Sequence, residues 1–136
     1  MCIRDSYEAP TDFETFKSLI HEDIKHQSPM YGQGLTDYAG ILGQAEFYMK
    51  GFANVKFNNA VWLPGVDTVS LQSNGSVRVY GTWSGESIET GKSFSVDSYH
   101  YFDIEDGKIV MSGDYFDATG MVMAVSAPPS SEMEVE

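Results

Sequence analysis

His100 is the residue of this sequence best placed to carry chemistry. An unperturbed imidazole titrates near 6.5 and so suits proton transfer at neutral pH. It lies in an alternating run from Ser93 to Ile104, and one set of alternate residues in that run is apolar apart from Ser98 and His100. On an apolar sheet face, an imidazole can be an acid–base group in a pocket or a hydrogen-bonded core residue. Both interpretations remain open at this point.

The pair Asp106-Gly107 predicts where that imidazole lies. Asp-Gly is typical of a two-residue type I′ hairpin turn, in which both residues need positive φ. An uninterrupted hairpin about this turn pairs His100 with Gly113, which leaves space beside the ring, and puts Asp114 on the opposite face. The predicted inward face consists of Phe94, Val96, Ser98, His100, Phe102, Ile104, Ile109, Met111, Gly113 and Tyr115.

Two further side chains are candidates for supporting His100 in catalysis. Asp117 shares its face, but lies four positions from its rung, which at about 3.3 Å per residue exceeds hydrogen-bond reach unless a β-bulge or a substrate intervenes. A cap or turn role is the simpler interpretation of Asp117. His26 can reach the same pocket from a short extended segment, and a surface position is its simpler interpretation. A metal site that combines these histidines with His21 is not predicted, since positions 21 and 26 straddle a helix end.

A second set of residues is predicted to bind an apolar ligand. Aromatic and methionine side chains form adaptable apolar walls, although they fill ordinary cores equally well. The candidate substrate-binding residues are Ser28, Tyr48, Trp62, Trp83, Met111 and Tyr115.

The composition excludes several classes of function. The chain has 136 residues, a net charge of −12 and a single cysteine. Nucleic acid is not a predicted partner, because phosphate binding needs a basic face. No stretch approaches the roughly 20 apolar residues that span a bilayer, so no membrane segment is predicted. The expected location is cytoplasmic by default, and no cofactor is predicted.

The elements that must position these residues are helices followed by strands. A capping box at Thr11 and Glu14 predicts a helix from Asp12 to about Glu22, and a second helix is expected from Tyr38 to Lys50, capped by Thr36 or Asp37. From Val55 onward the apolar period is two, with a turn expected at Asn74-Gly75 and a last turn or strand at 121–125. This order predicts an α+β fold. Residues 1–10 are set apart as a scar or truncated segment, 11–125 form the domain, and 126–136 are predicted to be a disordered acidic tail.

Four short motifs, in their order and spacing, resemble the NTF2-like superfamily and its SnoaL-like, polyketide-cyclase-like branch. They are Gly-Thr-Trp-Ser-Gly at 81–85, Thr-Gly-Lys at 90–92, Asp-Gly-Lys-Ile at 106–109 and Asp-Tyr-Phe-Asp at 114–117. The resemblance covers about residues 11–125. It implies a cone in which a curved antiparallel sheet wraps around N-terminal helices, with a pocket at the open end and homodimerisation through the sheet. The longer first helix of the family is expected to be absent or replaced by residues 1–10.

The resemblance also implies roles for particular positions. The position of the base in ketosteroid isomerase corresponds to Ser28, which cannot act as that base. The acidic oxyanion-stabilising position corresponds to His100, whose imidazole can donate the same hydrogen bond. The histidine and aspartate of the cyclase branch correspond to His100 with Asp117.

Three hypotheses about function follow. The first is a cofactor-independent isomerase, cyclase or dehydratase that acts on an apolar carbonyl compound, with His100 as the acid–base group and Asp117 or His26 in support. The second is a non-catalytic binder with the same pocket. The third is a dimerisation module, favoured by Tyr99, Tyr101 and Val110 on the outer sheet face.

Overall fold

The computed structural model of the protein describes residues 7–8 and 11–126. The helices of this part of the chain are α1 (Phe13–Ser18), α2 (Tyr38–Gly51) and α3 (Ala118–Val125). Its strands are β1 (Ile20–Gln27), β2 (Leu35–Thr36), β3 (Phe52–Val66), β4 (Ser73–Ser87), β5 (Ser93–Glu105) and β6 (Lys108–Tyr115). Residues 1–6 and 9–10 of the predicted segment 1–10, and residues 127–136 of the predicted tail 126–136, lie outside the described residues.

The six strands form one curved, unclosed sheet in the order β2-β1-β6-β5-β4-β3. Neighbouring strands are antiparallel except for β1 and β6, which run parallel. The predicted α+β class and the cone of sheet around helices are confirmed. Within residues 7–8 and 11–126, no helix is long and apolar enough to cross a membrane.

The first helix is shorter than its apolar spacing predicts. Its N-cap is Asp12, whose side chain accepts a hydrogen bond from the backbone of Thr15, so the capping box at Thr11 is wrong. The expected helical continuation to Glu22 is also wrong, because the chain enters β1 at Ile20. The backbone N–H of Ile109 donates to the carbonyl of Leu19 at 2.8 Å, so pairing with β6 overrides the helical pattern here.

The second helix and the last element agree better with the sequence. Asp37 caps α2 as one of the two expected residues, and its side chain accepts from the backbone of Gly40. The segment expected as a turn or strand after Asp117 is the helix α3, and Asp117 is its N-cap. Ser126, assigned by sequence to the tail, is the C-cap of that helix.

The turn between β3 and β4 lies earlier than predicted. It spans the residues from Asp67 to Gln72, where the Asp67 carboxylate accepts from the backbone of Val69 and Ser70. The expected turn at Asn74-Gly75 is wrong, since that pair already belongs to β4. An aspartate side chain that hydrogen-bonds to the following backbone can form a turn without an Asn-Gly pair.

A β-bulge in β6 changes the register that the hairpin turn predicts. Ile104 pairs with Ile109 as expected, but Val110 has no partner, and His100 therefore pairs with Asp114 and not with Gly113. A one-residue shift exchanges the two faces of a strand. Gly113 now faces outward, where a Cβ atom would overlap the ring of Tyr101. The bulge is what carries Asp114 to the concave side.

The concave side of the sheet packs against the helices in two apolar clusters. One centres on Phe16, Ile20 and Ile41, and the other on Phe52, Met121 and Val125. The space between the two clusters contains the site described next.

Candidate functional site

A cavity of about 100 Å³ lies between the concave sheet face and the helices. An engineered cavity of about 150 Å³ holds a benzene molecule, so this smaller cavity admits at most about one ring. Most of its lining is apolar, from Phe16, Ile41, Phe52, Val55, Phe57, Trp62, Val79, Trp83, Phe94, Val96, Phe102, Phe116 and Met121. The polar lining residues are Tyr7, His26, Gln44, Tyr48, His100, Ser112 and Asp114.

Asp114 is the centre of this polar group. Its Oδ1 accepts a hydrogen bond from Nδ1 of His100 at 2.7 Å, and its Oδ2 accepts one from Nε2 of Gln44 at 2.8 Å. Nε2 of His26 lies 3.2 Å from the same Oδ2, although off the axis of a hydrogen bond, and no other described residue bonds to it. The carboxylate on β6 therefore joins two buried histidines from the strands on either side of it, β1 and β5.

The electrostatics of the cluster keep Asp114 ionised. Burial raises the pKa of its carboxyl, because a charge is costly away from water. The hydrogen bonds and charges of His100 and His26 outweigh burial and hold the pKa well below the usual aspartate value. The group is thus an anion at neutral pH.

The partners of His100 identify which of its nitrogens carries the proton. An indole N–H can only donate, and Nε1 of Trp83 lies 2.9 Å from Nε2 of His100. In the neutral ring, Nε2 must then be the unprotonated acceptor, and Nδ1 carries the hydrogen that is donated to Asp114. If the ring takes up a proton, Nε2–H can donate to Oγ of Ser98, 3.0 Å away, while Ser98 donates to the carbonyl of Gly81.

We expect this tautomer to be observable by NMR. Long-range ¹H–¹⁵N spectra of the protein at pH 8 should show His100 protonated at Nδ1 and bare at Nε2. The Trp83→Phe variant, which lacks the indole donor, should release Nε2 from that constraint and shift its ¹⁵N resonance. A wild-type spectrum with the proton on Nε2 would contradict the assigned hydrogen-bond direction.

His26 is held in the same way from the other side. It is 1% exposed, and its Nδ1 lies 2.7 Å from Oγ of Ser112. A lone pair on Nε2 would face the Asp114 carboxylate, so the neutral ring carries its proton there, and Ser112 donates to Nδ1. The surface position that the sequence suggested for His26 is wrong.

Two phenols complete the polar lining. Burial, together with the nearby charge of Asp114, raises the pKa of Tyr7 and of Tyr48 above the ordinary tyrosine value. Both groups therefore keep their protons and can act as hydrogen-bond donors. The ring of Tyr7 packs edge-on against Phe16 and Trp83, with centroids 5.2 and 5.9 Å apart.

The segment 1–10, which the sequence analysis set apart, thus contacts the domain at two described residues. Tyr7 lines the cavity, and Oε2 of Glu8 accepts a hydrogen bond from the backbone of Phe57 at 2.8 Å.

The structure brings five of the predicted site residues to the cavity. These are His26, Tyr48, Trp62, Trp83 and His100.

Asp117 lies elsewhere, as the exposed N-cap of α3, where its carboxylate accepts from the backbone of Gly120 at 2.9 Å. Met111 and Tyr115 face away from the cavity because of the bulge, and Tyr115 is 49% exposed. Ser28 holds the loop after β1, where its hydroxyl donates to Gln33 and accepts from the backbone of Met30. Ser28 and Tyr115 border a separate groove outside the cavity.

Sequence reasoning missed Tyr7, Gln44, Ser112 and Asp114. The signal for the last two was Gly113, which suits the outer face opposite Tyr101 better than the inner one. Gln44 lies on the α2 face towards the sheet, and no spacing rule distinguishes it from a surface glutamine.

No group of three or more His, Cys, Asp or Glu side chains in residues 7–8 and 11–126 has an arrangement that could hold a metal ion. The two histidines of the cluster direct their nitrogens at Asp114, Ser112 and Trp83 instead.

Several solved structures share this fold. The chain is similar to a candidate polyketide cyclase from Pseudomonas putida KT2440, with a TM-score of 0.72, 17% identity, and coverage of 91% of this chain and 92% of the other. A candidate isomerase from Bacillus subtilis gives a TM-score of 0.71 at 18% identity and covers 90% and 88%. A candidate polyketide cyclase from Streptomyces antibioticus gives 0.65 at 21% identity and covers 89% and 91%.

No curated protein matches the sequence. The family described as SnoaL-like domain matches residues 4–111, which is most of the chain. Together with the cone of sheet and helices, that match identifies the protein as a member of the SnoaL-like family within the NTF2-like fold.

Proposed function

We propose that this protein is a cofactor-independent enzyme that transfers a proton on an apolar carbonyl compound. The observation that carries this proposal is the hydrogen-bonded pair of Asp114 and His100, 2.7 Å apart, in a cavity whose lining is otherwise largely apolar. A titratable pair in an apolar cavity is the usual signature of an acid–base site. The candidate cyclases and isomerase of the same fold are consistent with this chemistry.

In the proposed reaction, Asp114 removes a proton from the carbon next to the substrate carbonyl. Among the described residues, Oδ1 of Asp114 has one hydrogen-bond partner, His100, so that oxygen keeps a lone pair for the proton. The negative charge moves to the carbonyl oxygen, where the neutral phenol of Tyr7 or Tyr48 stabilises it by hydrogen bonding. His100 orients the carboxylate through Nδ1.

The lowered pKa of Asp114 determines how strong a base and how strong an acid this group is in the proposed mechanism. The carboxylate is always ready as an anion, but it is a weak base, so stabilisation of the oxyanion must supply much of the rate. Once protonated, Asp114 is a strong acid and returns the proton quickly. Return to another carbon completes an isomerisation. In a cyclisation the carbanion attacks a second carbonyl, and the alkoxide that forms takes the proton back from Asp114.

Hydrogen–deuterium exchange tests this proposal. Acetophenone, a one-ring ketone, should exchange its methyl protons in D₂O faster with the protein than in buffer. The rate should reach a plateau as the acetophenone concentration rises. Exchange no faster than in buffer, for this ketone and for longer phenyl ketones, would contradict a proton-transfer function.

A second candidate function is that of a non-catalytic binder. It is favoured by the complete hydrogen bonding of His100, whose two nitrogens are both engaged by Asp114, Trp83 and Ser98. A binder would retain acetophenone, as seen by NMR saturation transfer, with no exchange of its methyl protons.

We further propose that two copies associate through the outer face of the sheet. Four tyrosines cluster there: Tyr80, Tyr99, Tyr101 and Tyr115. The ring centroids of Tyr80 and Tyr99 are 4.9 Å apart, and those of Tyr99 and Tyr115 are 5.8 Å apart. Tyrosine is enriched in interfaces because it offers a large apolar area and a polar tip.

Light scattering after size exclusion tests this association. Wild-type protein should elute as a dimer, and Tyr80→Glu should shift it to the monomer. Tyr31→Glu is the matched control, because Tyr31 is 96% exposed and lies outside the sheet face. A monomeric wild-type protein would contradict the proposed interface.

A further inference from the structure

A groove adjoins the cavity and shares two lining residues with it. It lies between the end of β1, the loop from Ser28 to Gly34, and the end of β6. Asp114 and Phe116 line both the cavity and the groove. Of the three charged or titratable groups in the cluster, Asp114 is the most exposed, at 15%, against 8% for His100 and 2% for His26.

The two spaces differ in size and in chemistry. The cavity holds about 100 Å³ and its lining is mostly apolar, whereas the groove holds about 540 Å³ and its lining mixes polar and apolar groups. Gly32 and Gly34 face the groove with open space around the positions that a Cβ atom would occupy. Hydrogen bonds from Ser28 to Gln33 and from Met30 to Ser28 fix the loop that forms its edge.

These dimensions constrain a ligand whose reacting carbonyl lies at Asp114. The cavity takes about one ring on its apolar side, so a larger molecule must extend in another direction. The groove reaches the same carboxylate, because Asp114 lines both spaces. The ring of Phe116 lies in the wall between, 6.3 Å from the ring of His100 and 6.3 Å from that of Tyr48.

Charge narrows the class of ligand further. The ionised Asp114 carboxylate lines both the groove and the cavity, and none of the described residues that line the groove is a lysine or an arginine. Asp114 would repel a carboxylate or phosphate in the groove, and no cation among these described lining residues would offset the repulsion. A neutral tail that can donate hydrogen bonds is not repelled by Asp114.

We infer that the groove is the second half of the binding site, and that it takes the neutral, hydrogen-bonding tail of an elongated ketone whose compact apolar head occupies the cavity. Phe116 is the specificity-determining residue between the two halves, and its ring turns aside to admit the tail. This inference rests on the proposed function in placing the ketone carbonyl at Asp114.

Three phenyl ketones test the inference by calorimetry. Acetophenone supplies the head alone, 6-oxo-6-phenylhexanamide adds a neutral tail, and 6-oxo-6-phenylhexanoic acid adds a charged tail of nearly the same length. The amide should bind about tenfold more tightly than acetophenone, the gain expected from burying about two methylene groups. The acid should lose that gain.

Two substitutions locate the gain in the groove. Met30→Trp fills the groove from its edge, and it should abolish the advantage of the amide while leaving the affinity for acetophenone unchanged. Leu35→Trp is the matched control, because Leu35 is 59% exposed on β2 and does not line the groove. Phe116→Leu, which shortens the separating side chain, should increase the advantage of the amide.

Each outcome decides the inference. An amide that binds no better than acetophenone overturns it, as does equal weakening of both ketones by Met30→Trp, and an acid that binds as well as the amide overturns the neutral class of tail. A groove-dependent gain without methyl-proton exchange supports the groove and rejects the proposed function. Methyl-proton exchange of acetophenone without any gain in affinity from the tail supports the proposed function and rejects the groove as a binding site.

Discussion

Asp114→Asn should reduce exchange of ketone protons by about 10²- to 10⁴-fold, the usual contribution of a general acid or base. The amide has the shape of the carboxylate, but it cannot accept the proton. Mass spectrometry of acetophenone, sampled at fixed times after mixing with the protein in D₂O, measures the exchange rate directly. Rates should be normalised to the folded fraction, because the amide nitrogen will face at least one of the histidine N–H groups that the carboxylate now accepts.

Asp117→Asn is the matched control for this variant. Asparagine caps a helix as well as aspartate does, so α3 should remain intact. Exchange and melting temperature should both match the wild type, since Asp117 is exposed and lies outside the cavity lining. A large loss of exchange in Asp117→Asn, with little loss in Asp114→Asn, would reverse the assignment in favour of the pairing that the sequence suggested.

The second large effect is a loss of stability in acid. The folded-state pKa of Asp114 lies well below the value of about 3.9 for an unfolded aspartate, so its carboxylate stabilises the native state at and above that pH. As the pH falls below about 4, this stabilisation is lost at up to about 1.4 kcal/mol per pH unit, the limit for one proton. Urea titrations at pH 5, 4 and 3 measure the free energy of unfolding.

The Asp114→Asn variant isolates this contribution from the other carboxylates. The difference in unfolding free energy between wild type and Asp114→Asn should shrink from pH 5 to pH 3. A difference that stays constant over this range would mean that the ionised carboxylate of Asp114 does not stabilise the fold. Asp117→Asn, whose wild-type residue caps an exposed helix end, should show no comparable trend.

The sequence predicted the fold class and the inward position of His100, for related reasons. Alternation along β5 is uninterrupted, so the buried side of Ser98 and His100 follows from a period of two. The caps Asp37 and Asp117 were predictable because capping is local chemistry.

Asp114, the proposed catalytic partner of His100, was not predictable in the same way. One unpaired residue, Val110, moves Asp114 from the outer face to the inner one. The local amino-acid sequence gives little indication of such a bulge. The parallel pairing of β1 with β6 brings His26 and Ser112 to the cavity. That contact joins segments 86 residues apart and depends on the tertiary fold.

The position of Asp114 relative to His100 is the point on which the proposed chemistry depends, and cross-strand NMR contacts measure it most directly. Nuclear Overhauser effects between β5 and β6 should connect His100 with Asp114 and Tyr101 with Gly113, with Val110 left unpaired. Contacts that connect His100 with Gly113 instead would place the Asp114 carboxylate on the outer face, and no acid–base pair would then exist in the cavity.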